Sequence, residues 1–391
     1  MPEAGTLGRQ IRKLRKEQDV TQEQLAERAG VSVDLIKKLE QGGRNDIRAS
    51  YLMRIAAALD TEMSVLIGKR PRISGRADGS SVLALRDVLL DRSLLPGFSR
   101  DDDGVPAPAA AVDDTVSAAW RLYWAGDFAE LTARIPGLVG EARLARLPHA
   151  LAQAYQLAAC LLVHFGSDNL ATLAAERALA SAADGDDELH WATLHGTYAW
   201  TLLHQGRPRE SEDLAVRMAE RIEPTFTSPP QHLVVWGGLL LTAMAAAVAD
   251  ARTAAAEEYI SLASAAAARI TGGDRHDYQV SFGPTQVAMQ TTHAYTMLRE
   301  PGRALKAAAG VTRGDLFPIS YGRHLLDKAH AQADAGYGRA AATTLTDAAA
   351  LSPVWFRHQG PARSLVERLR EEETKLSTDL RRLVKLTGVD R

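Results

Sequence analysis

Two groups of side chains in the middle of the chain have the types and the spacing of a ligand-binding face. Residues at i, i+4 and i+7 of a helix share one face. The residues at this spacing are Trp191, His195 and Tyr198 in one group and Gln286, Gln290 and His293 in the other, with Trp236 between them in the sequence. Aromatic rings and a few convergent polar groups are typical of ligand sites. The sequence predicts one binding face if both helices border the same cavity.

A structural role remains an alternative for the aromatic residues. Aromatic side chains at helical spacing are also typical of a hydrophobic core, and this interpretation applies to Trp191 and to Trp200. The group of two glutamines and a histidine is harder to place in a core, because each buried amide without a partner costs free energy. We therefore expect Gln286, Gln290 and His293 to be the better candidates.

Patterns typical of enzymes and metal sites are missing from the sequence. It has no HExxH, GxSxG, GxGxxG or Walker-type stretch, and its 11 histidines do not fall at paired ligand spacings beside carboxylates. Cys160 is the single cysteine, which excludes an intramolecular disulfide and a cysteine-based zinc site. We therefore expect neither an enzyme nor a cofactor.

Residues 21–42 predict two short helices joined by a tight turn. The apolar residues that carry the helical spacing are Leu25, Ala29, Val31, Ile36 and Leu39. The spacing is interrupted once at Gly30, a residue that favours the turn. Thr21 and Ser32 are suitable N-caps for the first and the second helix. The stretch is therefore a predicted helix-turn-helix.

The segment LGRQIRKLRKEQDVTQEQLAERAGVSVDLIKKLEQGGRN, with its turn AGVS and its closing LEQG, resembles the phage-repressor-type (XRE) DNA-binding family. The resemblance covers about the first 70 residues and implies a five-helix, lambda-repressor-like domain. It also implies that the third helix reads an operator in double-stranded DNA.

The resemblance assigns individual roles to residues of this motif. Val33 and Asp34 in the first turn of the third helix, and Lys38 one turn later, would face base edges. The carboxylate of Asp34 suits the cytosine amino group, and the ammonium group of Lys38 suits guanine acceptors. The full set of implied DNA-binding residues is Gln22, Ser32, Val33, Asp34, Lys37, Lys38, Gly43, Arg44 and Asn45. Outside such a motif, the pair of lysines would be typical of a solvated face.

Arg15 and Glu40 are expected to be structural. In the family that the motif resembles, the matching arginine and glutamate form an ion pair that locks the first helix against the third. A carboxylate on the inner side of the recognition helix would be costly without such a partner. Neither residue therefore belongs among the expected DNA contacts.

Charge and hydropathy are distributed unevenly along the chain. Residues 1–76 carry 15 basic against 10 acidic residues, and the rest carries 31 against 38, so only the N-terminal part suits phosphates. The N-terminus has no apolar run typical of a signal peptide. Residues 233–249 are apolar but short for a membrane span, and we interpret them as a buried helix. We expect a cytoplasmic protein without a membrane partner.

The chain divides into four predicted segments in an all-α protein. Residues 1–67 form the DNA-binding domain and residues 68–80 a basic linker. Residues 81–114 contain a connecting helix near 82–90 and a flexible loop rich in acids, proline and alanine from residue 99. Residues 115–391 form a domain of helical repeats in which we expect no strand.

The repeat domain is predicted from regularly spaced turns between pairs of helices. The turns fall at Gly126, Gly166, Gly206, Asp250, Pro301–Gly302 and Gly336, with 35 to 51 residues between them. Such a period is typical of an α-solenoid of stacked helix hairpins. The units resemble tetratricopeptide (TPR) repeats, and a charged helix pair over 363–386 is a plausible cap.

An XRE head followed by TPR-like repeats resembles signal-responsive transcription factors, of which FGPTQVAMQ and the alanine-rich last repeat indicate the actinobacterial group. In the low-GC bacterial group, such proteins bind short signalling peptides. The resemblance implies a regulator of transcription that responds to a small-molecule or peptide effector. Because a single head reads only a short half-site, we expect a homodimer. A second hypothesis is a protein-binding scaffold that is tethered to DNA and acts through a protein partner.

Overall fold

The computed structural model describes residues 6–42, 47, 49–61, 66, 82–91, 104–182, 187–357, 359–373 and 376–389. These residues form an all-α chain with one short β-hairpin. The elements are α1 (Thr6–Glu17), α2 (Gln22–Ala29), α3 (Val33–Glu40), α4 (Ala49–Ala58), α5 (Val82–Leu89), α6 (Ala109–Ala125), α7 (Phe128–Leu144), α8 (Pro148–His164), α9 (Asp168–Ala182), α10 (Glu188–His204), α11 (Pro208–Arg221), α12 (Pro230–Ala249), α13 (Thr253–Ala267), β1 (Arg275–Asp277), β2 (Val280–Phe282), α14 (Pro284–Met297), α15 (Pro301–Ala308), a 3-10 turn (Arg313–Asp315), α16 (Pro318–Asp334), α17 (Gly338–Leu351), α18 (Pro353–Arg357), α19 (Gly360–Glu372) and α20 (Thr378–Thr387).

Helices α1 to α4, which we call the head, form the helix-turn-helix that the sequence predicts. Thr21 caps α2 through a capping box with Gln24, and Ser32 caps α3 by accepting a hydrogen bond from the Leu35 amide. Gly30 ends α2 with φ of 57°, a left-handed conformation that suits glycine at this turn. The buried apolar faces of the four helices form one core.

The segment between the head and the repeats is described only in part. The predicted fifth helix near residues 63–67 has only Leu66 among the described residues, and the predicted linker 68–80 lies outside them. The connecting helix is present as α5, whose Leu85 and Leu89 are buried. The loop predicted for residues 99–114 is too long, because α6 begins at Ala109 and buries Val112. The alanines there continue a helix rather than a loop.

The described residues from 109 onward form helices that pair into hairpins. We call this part of the chain the repeat body. The pairs are α6 with α7, α8 with α9, α10 with α11, α12 with α13, α14 with α15 and α16 with α17. Turns follow at Gly126, Gly166, Gly206, Asp250 and Gly336 as predicted. The turn predicted at Pro301–Gly302 is displaced. In the structure Pro301 is the first residue of α15, and the turn lies just before it, where Arg299 adopts the left-handed conformation.

The apolar stretch predicted to be a buried helix is α12. By length and composition alone α12 qualifies as a candidate membrane span, but 67% of its most apolar 18-residue window is buried inside the protein. It packs against α11, α13 and both strands. Its hydropathy is therefore explained by its position as a core helix of the repeat body.

The expectation that the repeat body has no strand is wrong at one place. Residues Arg275–Asp277 and Val280–Phe282 form an antiparallel hairpin in which Asp277 pairs with Val280. The two residues between the strands, Tyr278 and Gln279, have φ of 52° and 62°, as in a type I′ turn. The usual turn residues Asn and Gly are missing here, so the sequence does not predict the hairpin.

The first and the sixth hairpin of the repeat body meet, and the head contacts the body. The end of α6 contacts the start of α16, where Trp124 stacks on Phe317 with 4.9 Å between ring centroids. Helix α4 contacts α12, and Met53 lies beside Gly206 in the turn after α10. The repeat body is thus closed on itself and touches the head through α4.

Candidate DNA-binding and effector-binding sites

The outer side of α3 is the candidate DNA-reading surface. The buried residues Leu35, Ile36 and Leu39 hold the inner side of α3 on the head core. Asp34 and Lys38 are exposed one turn apart on the outer side, with 2.8 Å between the Lys38 Nζ and an Asp34 carboxylate oxygen. Since both side chains are more than half exposed, this ion pair is weak and can open. A donor and an acceptor group are therefore available to base edges.

The other residues implied as DNA contacts differ in their surroundings. Lys37 is exposed and lies 3.5 Å from a Glu23 carboxylate oxygen. Val33 is half-buried and packs partly on the head core, so only part of its side chain is available. The Ser32 hydroxyl is used as the N-cap of α3. Residues Gly43, Arg44 and Asn45 lie outside the described residues.

Gln22 begins α2, but its side chain is engaged inside the head. Its amide Nε2 donates a hydrogen bond of 2.7 Å to a carboxylate oxygen of Glu40. The backbone N–H groups at the start of α2 are therefore the better phosphate donors at this position. This partner of Gln22 was not expected from the sequence.

Arg15 and Glu40 form the buried ion pair that the motif implies. The Arg15 Nε and Nη2 atoms donate to the two Glu40 carboxylate oxygens at 2.6 and 2.9 Å, and Nη1 donates to the Val20 carbonyl at 2.7 Å. Burial opposes ionisation of Glu40, but hydrogen bonds from Arg15 and Gln22 outweigh it and lower its pKa. The charged pair therefore joins α1, α2 and α3.

The residues of the first predicted ligand group lie on α10 and are turned toward the second helices of the hairpins. The Arg221 guanidinium of α11 lies over the Trp191 ring at 4.6 Å, and the Tyr198 hydroxyl donates to Glu176 of α9 at 3.2 Å. His195 bonds through Nδ1 to the Trp191 carbonyl, and burial lowers its pKa. These contacts agree with a structural role of this group in packing the repeats.

Trp236 on α12 has a similar environment. Its indole Nε1 donates a hydrogen bond of 3.1 Å to the carbonyl of Ala219 on α11. The ring packs on the hydrophobic core of this part of the body. Trp200, for which a core role was the alternative, is likewise half-buried against a core cluster, with His204 edge-on to it.

The second predicted ligand group lies on the opposite side of its helix. Tyr295 of α14 lies under the guanidinium of Arg303 on α15, at 4.0 Å, and so marks the side of α14 that faces the second helix. Gln286, Gln290 and His293 are on the other side of α14 by helical geometry. We call this side of the first helices, which points away from the second helices, the inner face. The structure therefore does not bring the two predicted groups together in one cavity.

A carboxylate that the sequence did not identify completes the group on α14. His293 Nδ1 lies 3.1 Å from both carboxylate oxygens of Asp327 on α16. Burial opposes ionisation of Asp327, and the neighbouring His293 outweighs it, so the pKa of Asp327 is lowered. The Oε1 atom of Gln286 is buried and has no hydrogen-bond partner among the described residues. The inner face thus contains a buried acceptor atom whose hydrogen-bonding capacity is unused among the described residues.

Asp274 fixes the start of α14, although the sequence does not identify it. Its two carboxylate oxygens accept hydrogen bonds from the backbone amides of Thr285 and Gln286 at 2.8 and 2.7 Å. Such a cap from a residue ten positions away leaves no local sequence signal. Through this contact, Asp274 holds the base of the β-hairpin against α14.

Known proteins support the class of the head. Residues 11–66 match the helix-turn-helix family. Together with the geometry of α2 and α3, this identifies the head as a DNA-binding domain of transcription regulators.

The whole chain is less similar to known proteins than the head is. No curated protein matches it. Among solved structures, PlcR of Bacillus thuringiensis, in complex with the peptide PapR7 and DNA, is 14% identical with a TM-score of 0.38. The similarity covers 86% of this chain and 99% of that chain.

Proposed function

We propose that the protein is a homodimeric transcription regulator that binds a DNA operator through α3 and responds to an effector bound at the inner face of the repeat body. The observation that carries the DNA-binding half is the exposed Asp34–Lys38 pair on a helix whose other side is fixed in the head core. A single head reads only a short half-site, so two heads in a symmetric dimer would supply operator specificity.

The effector half of the proposal is supported by the polar group on α14. Gln286, Gln290 and His293 share the inner face, and the buried Gln286 Oε1 lacks a partner among the described residues. A small molecule or peptide with a hydrogen-bond donor would satisfy this oxygen. The domain limits that accompany the proposal are residues 1–67 for the head and, because α6 begins at Ala109 rather than at the predicted residue 115, 109–391 for the repeat body.

A mobility-shift titration tests the DNA-binding half. Lys38→Ala should weaken binding to the operator by about 1–3 kcal/mol and relax its base preference, because Lys38 would contact a base edge. Lys385→Ala, on the distant helix α20, is the matched control and should bind as the parent does. Equal affinity of the parent and Lys38→Ala for the operator would refute the assignment.

The dimer and the effector need separate measurements. Mass measurement in solution should give twice the mass of the chain, and a monomer with full operator affinity would contradict the dimer. A ligand at the inner face should lose affinity for the Gln290→Ala variant, whereas operator binding without the ligand should persist. A stoichiometric protein partner with no small-molecule thermal shift would instead favour the scaffold hypothesis.

A further inference from the structure

The β-hairpin Arg275–Phe282 lies against the inner face of α12, and its base is fixed there. The ring of Phe282 is buried directly over Gly237, where a Cβ atom would overlap it, and Val280 lies over Gly238. Trp236 marks the side of α12 that faces the second helix α11. The two glycines are thus the positions at which α12 makes room for the hairpin.

The tip of the hairpin reaches away from α12 to other parts of the repeat body. Trp124, the last but one residue of α6, donates a hydrogen bond of 3.3 Å from Nε1 to the Oε1 of Gln279. His276 packs edge-on against both Trp124 and Phe317, with 5.0 Å between ring centroids in each case. The tip therefore covers the place where α6 meets the residue before α16.

The other tip residue, Tyr278, packs on the core cluster around α12. Burial, and after it the Asp187 carboxylate, raises the pKa of the Tyr278 hydroxyl. Asp187 is the N-cap of α10, accepting a hydrogen bond of 3.0 Å from the His190 amide. One short hairpin thus touches α6, α12 and the residue before α16.

The two central residues of the hairpin turn are of types that disfavour its backbone conformation. A type I′ turn needs φ above zero at both central residues, which strongly favours Asn-Gly. Tyr278 and Gln279 adopt this conformation with side chains that make it costly. Such strain persists only where the surroundings enforce it. The hydrogen bonds of Gln279 with Trp124 and His276 and the packing of Tyr278 on the core cluster around α12 are the interactions that enforce it here.

We propose that this hairpin is a strap that closes the repeat body: its tip holds the end of α6 against the start of α16 and detaches without unfolding of the helices. The strained turn favours release, and the Tyr278 and Gln279 contacts oppose it. The strap goes beyond the proposed function, because it requires neither DNA nor an effector.

The single cysteine of the chain is a built-in probe of strap release. Cys160 on α8 is buried, interacts with Tyr123 next to Trp124, and has its pKa raised to about 12 by burial. Loosening of the end of α6 would expose this thiol. Its labelling rate with an excess of an aromatic disulfide reagent, measured on the full chain under native conditions, therefore reports opening at α6.

The test is the double substitution Tyr278→Asn with Gln279→Gly. It installs the turn residues that the hairpin backbone prefers, and it removes the Tyr278 side chain and the hydrogen bonds of Gln279 with Trp124 and His276, so the hairpin should persist while its hold on the end of α6 weakens. We expect labelling of Cys160 to accelerate about three- to tenfold, with unchanged helix content. Gln279→Gly alone, which keeps the Tyr278 side chain, should give a smaller acceleration in the same direction.

The matched control is Ala251→Gly. Ala251 also has a left-handed backbone, with φ of 58°, at the exposed turn after α12, so this change relaxes a turn without removing a tip contact. It should leave the labelling rate unchanged. Labelling of both strap variants at the parental rate, or equal acceleration by Ala251→Gly, would overturn the proposal. Should the double variant misfold, Gln279→Gly decides the question.

Discussion

The head and the repeat body differ in how their buried polar side chains find partners. In the head, the Glu40 carboxylate receives hydrogen bonds from Arg15 and Gln22, and all three side chains lie within one small domain. In the body, the buried Gln286 Oε1 has no partner among the described residues. The difference indicates that polar groups inside the head hold it together, whereas Gln286 Oε1 on the inner face of α14 contributes no hydrogen bond to the body among the described residues.

Removal of Glu40 should give the largest effect. Glu40→Ala leaves the Arg15 guanidinium buried without its partner, which typically costs about 3–5 kcal/mol. Because the tryptophans all lie beyond the head, hydrogen exchange of the α2 and α3 amides in the full chain is the suitable measurement. Glu27→Ala, at an exposed position on α2, is the control. Unchanged exchange in Glu40→Ala would break the comparison.

The same pair predicts how the head responds to acid. The pKa of Glu40 is lowered in the folded head relative to about 4.3 in an unfolded chain. Its stabilising contribution is therefore complete above the unfolded value and is lost as the pH falls through the folded value. The protection factors of the α2 amides, which compare exchange with the intrinsic rate at the same pH, should fall below about pH 4 in the parent. Glu40→Gln should show a weaker fall over this range.

Trp236 tests whether the aromatic residues of the body are structural. Trp236→Phe keeps most of the ring but leaves the Ala219 carbonyl without its donor, so the body should lose about 1–3 kcal/mol of stability. Urea unfolding followed by circular dichroism measures the change. Operator binding and effector binding should be unaffected. Loss of effector affinity without loss of stability would instead show that Trp236 belongs to the binding site.

Gln286 should behave in the opposite way. Replacement of a buried oxygen that has no partner by an apolar group, as in Gln286→Leu, should stabilise the body by about 1 kcal/mol and abolish effector binding. Tryptophan fluorescence during urea unfolding reports on the body alone. Gln332→Leu is the contrasting variant, since the Gln332 Oε1 accepts a hydrogen bond of 2.8 Å from Thr344 and its loss should destabilise. Equal signs for the two variants would contradict the prediction.

The exposed ion pair of the head should give the smallest effect. The Lys37 side chain is 48% exposed and the Glu23 side chain is 63% exposed, with 3.5 Å between their charged atoms. Pairs of this kind contribute little because water screens them. We expect hydrogen exchange in Glu23→Ala to match the parent within error. A measurable loss of protection would show that surface charges also hold the head together.

The sequence predicts the head better than the body for a physical reason. Caps, turn and apolar spacing of residues 21–42 act over a few positions, so Thr21, Gly30 and Ser32 have the expected roles. Five of the six turns predicted in the repeat body are found at the predicted residues, because each one is also a local signal, and the sixth lies just before Pro301. The assignment of DNA contacts remains a prediction, since it depends on the partner molecule.

The faces of the repeat helices could not be predicted in the same way. The spacing i, i+4, i+7 places Trp191 and Tyr198 together, and Gln286 and His293 together, but it does not say which neighbour each face meets. That neighbour is contributed by residues 22 to 34 positions away, such as Glu176 and Asp327. The hairpin could not be predicted because its turn residues are held by distant parts of the chain, as in the hydrogen bond of Gln279 with Trp124.

Helix α12 has a further consequence, because it contacts both the β-hairpin and the head helix α4. Its 20 residues span about 30 Å, so it can act as a lever between these two contacts. Any tilt that relieves the Phe282 contact would also move the surface on which α4 rests. If the lever is stiff, undocking of the head and loosening of the hairpin base on α12 are thermodynamically linked, and each must change the free energy of the other by the same amount.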